Sequence, residues 1–549
     1  MGKIINRLAL RYRDWKSDSP LALLLFFALL MLPILGAIWF LPNFFTQDGP
    51  LHLYNARILV ELVKSDSYFQ VFYALRVFPL PYWGGYLLLG GLTLMLPGRT
   101  ADQLIMSMTS VGFASAVLWL RWQVKGWKGM AQAIPFIALL PINMIWLMGL
   151  YGFLLGACLY LITLGIWWKG RENIRLGRAL LISGLLVVGF LFHLISTGLA
   201  VVALVILALT TPGSHKARRF AWTAASMLAL LPLVVAYYRL MRTAGEVRPA
   251  WIGLSEPNTL KNWLHYLQVP NIFSIDLKSG AFLAGEISWV PAPAILLAAG
   301  LLVLIAVKAF DRLSRAEASN AITRGWVIVA SMFILAAFVG PEQFGDVHGG
   351  ILRERVLLVG LASLAPFLDF DFKRFITKMV WAIILAATVL QIYLLWNYAS
   401  SANEIAGEFV RARSYIGNRQ RVGALMIDAR GRYIASPLPN LCNIFGVGSE
   451  NMIWNNYGPN SYYFPIKFEN QLSRDLSELF FRMQFNYLGN RETAGEGLAM
   501  WFNLLKQYHT EIDVLIIWNS TPEVDAINSV WFRHEPAFSQ GRMRVLKHR

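Results

Sequence analysis

Charge and cysteine are what this chain has least of. Of its 549 residues 15% are charged and two are cysteine, against 56% hydrophobic residues and a mean hydropathy of +0.49. So little charge at this length excludes a water-soluble globule. Cys158 sits in an apolar run and Cys442 in the polar tail, so the two do not meet and neither a disulfide framework nor a thiolate metal site is available. The signatures of soluble-enzyme chemistry are missing too: no glycine-rich loop ending in GK[ST], no GxSxG, no HExxH, no CxxC. "GVGSEN", ending at Asn451, lacks a third glycine and reads as a turn. No internal repeat or low-complexity tract is present.

Long apolar runs are what remain, each wide enough for a bilayer. They fall near 21–42, 103–120, 130–149, 152–168, 178–195, 197–211, 220–238, 290–307, 325–340, 353–368 and 377–396, about eleven spans of roughly 18–22 residues. The chain reads as an α-helical polytopic membrane protein. Its net charge of +17 would suit a nucleic-acid partner if the basic residues formed a patch, but they fall in alternate short loops: Lys3 to Lys16, Arg121 to Lys128, Lys169 to Arg178, Lys216 to Arg219, Lys308 to Arg324, and Lys373 to Lys378. The intervening loops near 150–152 and 195–197 have none. That pattern puts the N-terminus inside, the C-terminus outside, and leaves no call for nucleic acid. Residues 1–20 become a cytoplasmic segment and 21–397 the bundle, with outer loops at 43–102 and 240–289. Residues 398–549 form an outer α/β domain: "RVGALMID" and "EIDVLIIWN" read as buried strands, "GLAMWFNLLKQYH" as an amphipathic helix and "GRMRVLKHR" as a last edge strand. The first span carries no small-residue cleavage site and reads as retained.

Three outer clusters could carry chemistry. "TQDGPLHLYNARIL" places Asp48 beside an N-cap and Pro50 in the first turn of a helix that also spaces Arg57 and Glu61 for an i,i+4 pair. His52 and Asn55, four and seven residues past Asp48, share its side of that helix. An acid at the mouth of an apolar bundle is costly unless hydrated, paired or engaged with a ligand; the bland alternative is a cap, with His52 bonded to Asp48. The second cluster joins Asp346 and His348 to Arg353 and Arg355 at the start of a span, where guanidinium would grip phosphate; snorkelling to anionic lipid is the alternative. The third, in the 240–289 loop, offers Trp251, Trp263 and Tyr266 for stacking on a sugar, or as interface aromatics. "PLPYWGGYLLLGGLTLMLPGRTAD" is short and glycine-broken, so it lies in the interface or re-enters rather than crossing. The tail's "NMIWNNYGPNSYYFPIKF" reads as core or lid, and His193 as a packing residue.

A first span, an outer loop led by an acid ("TQDGPLHLYNARIL", then "FPLPYWGGYLLLGGL"), a many-span bundle with "NMIWLMGLYGFLLGACLYLITLGIWW" and an outer tail resemble the GT-C superfamily of membrane glycosyltransferases. The resemblance implies a bacterial inner-membrane enzyme, with its tail in the periplasm, that takes a sugar from a polyprenyl-phosphate or -pyrophosphate donor. The acceptor would be a glycan, lipid or protein. Asp48 is then the general base of an inverting displacement, and Arg353 and Arg355 read the donor phosphate. Many GT-C enzymes carry a further acid in the second outer loop; here "INMIWLMGLYGF" has none, so a divalent metal would have to recruit Glu61, Asp66, Glu246 or Glu256. The competing expectations are a transporter or flippase of lipid-linked saccharide, and a non-catalytic assembly protein of cell-surface polysaccharide synthesis.

Overall fold

The computed structural model describes residues 19–64, 66–76, 80–127, 129–213, 215–250, 272–275, 280–282, 289–314, 321–345, 350–368, 374–429, 433–483 and 494–549. Five helices among them are long and apolar enough to cross a membrane: Pro20–Phe40, Gly98–Lys125, Tyr151–Gly170, Lys216–Thr243 and Phe375–Ile416. Six shorter apolar helices of 10–17 residues pack among them. They include Trp83–Met95, the glycine-broken run, which is 13 residues long and too short to span a core of about 30 Å. The count of spans by length is thus five among the described residues, where the sequence led us to expect about eleven.

One of the expected spans is broken for a readable reason. The stretch 130–149 forms Met130–Leu139 and then a single turn, Met144–Leu147. Between them lies Pro141, which has no backbone N–H to continue the helical ladder. The stretch ends at Gly149, whose φ of +81° belongs to the left-handed region that glycine enters at little cost. Trp167 and Trp168, at the end of the expected 152–168 span, are both buried, and Trp168 meets Trp326 edge-on at 5.4 Å.

Helix Phe375–Ile416 overruns the expected end of the bundle near 397. Its 42 residues extend about 63 Å at 1.5 Å per residue, roughly twice the apolar core of a bilayer, so the helix itself carries the tail away from the bundle. The tail holds a five-stranded mixed sheet, in spatial order Phe538–Gln540, Met543–Lys547, Val514–Trp518, Arg421–Met426, Met452–Ile453. Arg421–Met426 runs parallel to Val514–Trp518, with Val422 opposite Val514 and Met426 opposite Trp518. All five residues of Val514–Trp518 are buried, as a centre strand covered on both faces requires. The C-terminal strand is not the edge: a hairpin turning at Gly541 (φ +58°) adds Phe538–Gln540 outside it.

The tail folds back on the first loop. Strand Tyr73–Leu75 pairs antiparallel with Ile466–Phe468, Tyr54 Oη donates to the Asn451 carbonyl at 2.8 Å, and Asn456 Nδ2 donates to Asn55 Oδ1 at 2.7 Å. Residues nearly four hundred positions apart thereby build one surface over helix Gly49–Glu61, which also carries the expected Arg57–Glu61 ion pair at 2.5 Å.

Candidate active site

Asp48 is held by backbone first. Gln47 N–H donates to the Leu147 carbonyl at 2.9 Å and Asp48 N–H to that of Met148 at 3.0 Å. Gly149 packs so close that a Cβ there would come within 3.0 Å of Gly49 N. The break in the 130–149 stretch is therefore what seats the acid.

The Asp48 side chain does not cap its helix. Its Oδ1 accepts from Asn440 Nδ2 at 2.7 Å and, at 3.5 Å, from Gln47 Nε2, with Tyr457 bonding it as well. Burial, at 6% exposure, pushes its pKa up to about 6, and those amide and phenol bonds keep it from rising further. His52 does not reach back to Asp48 either: its Nδ1 lies 2.7 Å from Tyr86 Oη, and burial pushes its pKa down to about 4, so the ring is neutral at physiological pH. The purely local reading of the motif, a cap with a bonded histidine, is thus not the geometry found. Asn55 is taken by Asn456.

His52 lines a small pocket with Tyr82, Tyr86, Tyr151, Leu89 and Ile105, and Gly85, Gly152 and Leu155 complete it. The tail roofs it with aromatic rings: Phe464 stacks on Tyr82 (5.8 Å between centroids, 15°) and on His52 (6.5 Å, 13°), and Tyr463 lies 5.3 Å from Tyr82. Tyr82 sits at φ +79°, a strained conformation for a residue with a Cβ and one that collects at functional sites.

Arg355 arrives from the other side. It is 5% exposed, its Nη1 lies 3.3 Å from His193 Nε2, and its guanidinium is 5.7 Å from the Phe153 ring centre. His193 is thus more than packing: Tyr82 Oη is also 3.3 Å from its Nε2, and its Nδ1 accepts the Ile195 N–H at 3.2 Å, capping the next helix. Burial raises the pKa of the Tyr82 phenol; Arg355 beside it works downward and the charge of Asp48 upward. Helix Leu352–Ala362, which carries Arg355, starts from Ile351 at φ +53°, an outlier for a β-branched residue.

Arg353 points elsewhere. Its Nε donates to the Ala337 carbonyl at 2.8 Å and its Nη1 to Glu342 Oε1 at 3.4 Å, tying off the end of helix Ala321–Val339. Arg353→Ala should accordingly cost about 1.5–3 kcal/mol of stability, the worth of a hydrogen bond to a charged group. Thermal unfolding in detergent checks this, with donor binding per folded molecule expected to stay unchanged. Asp346, His348, Trp251, Trp263 and Tyr266 lie outside the described residues.

Sequence reasoning missed Asp102, the only carboxylate between Asp66 and Glu172. It is fully buried beside the Asp48 turn: Arg99 Nη1 donates to its Oδ2 at 2.6 Å and Tyr151 Oη to its Oδ1 at 3.2 Å. It also missed Asn440; Tyr457, Tyr463 and Phe464 belong to "NMIWNNYGPNSYYFPIKF", which the sequence offered as core or lid. As for a divalent cation, among the described residues no three His, Cys, Asp or Glu side chains converge. Both oxygens of Asp102 are engaged, and Glu61 is paired with Arg57 and Lys64, so these donors do not fit a cation site.

No family model matches the chain, and no curated protein is similar to it. Solved structures are. The arabinofuranosyltransferase AftD from Mycobacteria matches over 96% of this chain at 12% identity and a TM-score of 0.48, and ArnT from Cupriavidus metallidurans, in its apo state, over 95% at 10% and 0.49. The archaeal oligosaccharyltransferase AglB from Archaeoglobus fulgidus, solved with an inhibitory peptide and a dolichol-phosphate, matches over 94% at 10% and 0.46. This chain spans 40% of the length of AftD, 97% of ArnT and 71% of AglB. At these identities and TM-scores no residue's role passes from those proteins to this chain.

Proposed function

We propose that the chain is a membrane glycosyltransferase that moves a sugar from a polyprenyl-phosphate or -pyrophosphate donor to an acceptor hydroxyl, with Asp48 as general base. The observation that supports this best is a buried Asp48 in the turn that leads into the helix of His52, whose aromatic-walled pocket includes Tyr82; Tyr82 Oη and Arg355 Nη1 each lie 3.3 Å from His193 Nε2. In the reaction, the Asp48 carboxylate takes the proton of the acceptor hydroxyl as that oxygen attacks the anomeric carbon. The carbon–oxygen bond to phosphate breaks on the opposite face, its electron pair leaves with the lipid phosphate, and the anomeric centre inverts. Arg355 meets the charge that collects on the departing phosphate. Rings of Tyr82, Tyr463 and Phe464 offer flat apolar faces for the sugar. In this reading the basic loops face the cytoplasm, and the site and tail face the periplasm of a bacterial inner membrane; the positive-inside bias of the sequence supports that orientation.

A base held at a pKa of about 6 is mostly ionised at pH 7.5 and still a better proton acceptor than an ordinary aspartate. kcat/KM should therefore fall about tenfold per pH unit below pH 6, where Asp48 is protonated, and be flat above pH 7. The test is transfer by membranes containing the full-length protein, supplied in turn with a panel of radiolabelled polyprenyl-phosphate hexoses and pentoses. Label should leave the lipid fraction with wild-type membranes and stay in it with Asp48→Asn. Equal release by the two overturns the proposal.

A further inference from the structure

Asp102 cannot touch a substrate, yet it is joined to the catalytic turn by an unbroken run of hydrogen bonds. It is fully buried, and its two oxygens are occupied by Arg99 Nη1 and Tyr151 Oη. A carboxylate accepts only, so the single Tyr151 proton goes to Asp102. The Tyr151 oxygen must then accept from Thr46 Oγ1, 2.7 Å away. Thr46 begins the turn that bears Asp48: its carbonyl accepts from Gly49 N–H at 3.3 Å. The packing is tight enough that a Cβ on Gly49 would lie 2.7 Å from Thr46 Oγ1, 2.9 Å from Tyr151 Oη and 3.1 Å from Asp102 Oδ1. Arg99 grips the other end of the same loop, donating from Nε to the Pro42 carbonyl at 2.7 Å and from Nη2 to that of Leu41 at 3.4 Å.

We propose that Asp102 is a positioning residue that acts through the Tyr151 hydroxyl to fix the Thr46–Gly49 turn and hold the Asp48 carboxylate in its dry seat; this rests on the reading of Asp48 as the base. A buried ion pair such as Arg99–Asp102 often stabilises no more than apolar residues of the same volume, so stability alone gives little reason for it. A fixed turn gives one, because small misplacements of a reacting group are costly in rate. Around Asp48 itself the facing groups are Gln47, Asn440 and Tyr457 by hydrogen bond, and Tyr82, Tyr86 and Tyr398 through its charge, with neutral His52 one turn on. None belongs to the Arg99–Asp102–Tyr151–Thr46 run. Loosening that run changes Asp48 by admitting water, not by removing a charge beside it.

The readout is the Asp48 titration, which needs no substrate. In full-length protein in lipid nanodiscs with carboxyl-labelled aspartate, infrared difference spectra follow protonation with pH, and the Asp48 band is the one missing in Asp48→Asn. In wild type its midpoint is expected near 6. In Tyr151→Phe, which keeps the ring against His52, and in Thr46→Val it should fall by about one pH unit or more, toward the ordinary aspartate range. If Tyr151→Phe does not fold, Thr46→Val gives the same reading. A midpoint unchanged or higher in the folded variants overturns the positioning role and leaves the base untouched. Transfer activity surviving in Asp48→Asn would overturn the base reading instead, whatever the midpoints.

Discussion

Asp48→Asn is expected to abolish sugar transfer and, at neutral pH, to raise the melting temperature of the protein. The rate loss follows from removing the proton acceptor, worth about 10²–10⁴-fold for a positioned base. The gain in stability follows from linkage. Asp48 titrates at about 6 when folded against 3.8 in the open chain, so the folded state binds the proton more tightly. Its contribution is therefore most favourable below pH 3.8, declines as pH climbs to 6, and stays low above that. The difference is about 3 kcal/mol at pH 7.5, from 1.36 kcal/mol for each pKa unit. Asparagine is neutral at every pH, keeps the size, and can still accept from Asn440 through its carbonyl. Melting curves in detergent at pH 7.5 and pH 4.5 should show the variant well ahead at the higher pH and ahead by only about a third as much at the lower. A variant less stable at both would mean that the carboxylate serves the fold.

The second large effect concerns Arg355. Losing a charged donor to phosphate is worth about 1.5–3 kcal/mol, so Arg355→Ala should raise the apparent KM for the lipid donor about ten- to 150-fold. Arg355→Lys keeps the charge but not the planar fork and should recover only part of this. Donor titration at saturating acceptor checks both. An unchanged KM with a depressed kcat would move Arg355 from donor binding to the support of Tyr82 and His193, its present neighbours.

How far the sequence was legible depends on how local each signal was. Helix Gly49–Glu61 announced itself through Pro50 and the Arg57–Glu61 spacing, and the buried strands Arg421–Met426 and Val514–Trp518 through unbroken apolar runs. The break at Pro141 and Gly149 had its signals too, but hydropathy outweighed them, and the consequence of the break, a backbone seat for Asp48, could not be read from it. Asp102 was hidden because an acid three residues after Arg99 at the foot of a span resembles an ordinary i,i+3 pair. Only the fold shows that its other oxygen faces Tyr151, 49 residues on. Where the tail docks was illegible for the same reason in stronger form: Asn440 meets Asp48 across 392 residues, and no period or motif encodes that meeting. Arg353 and Arg355 looked alike in sequence, and which one turns inward is set by the helix start at Ile351.

The central claim is that Asp48 and Arg355 serve the two ends of one bound donor. A structure of the full-length protein with a polyprenyl-phosphate sugar tests it most directly. The account predicts the donor phosphate on Arg355 and the anomeric carbon turned toward the Asp48 carboxylate, beneath Tyr463 and Phe464. A phosphate seated away from Arg355, with Asp48 still sealed behind Asn440, would contradict it.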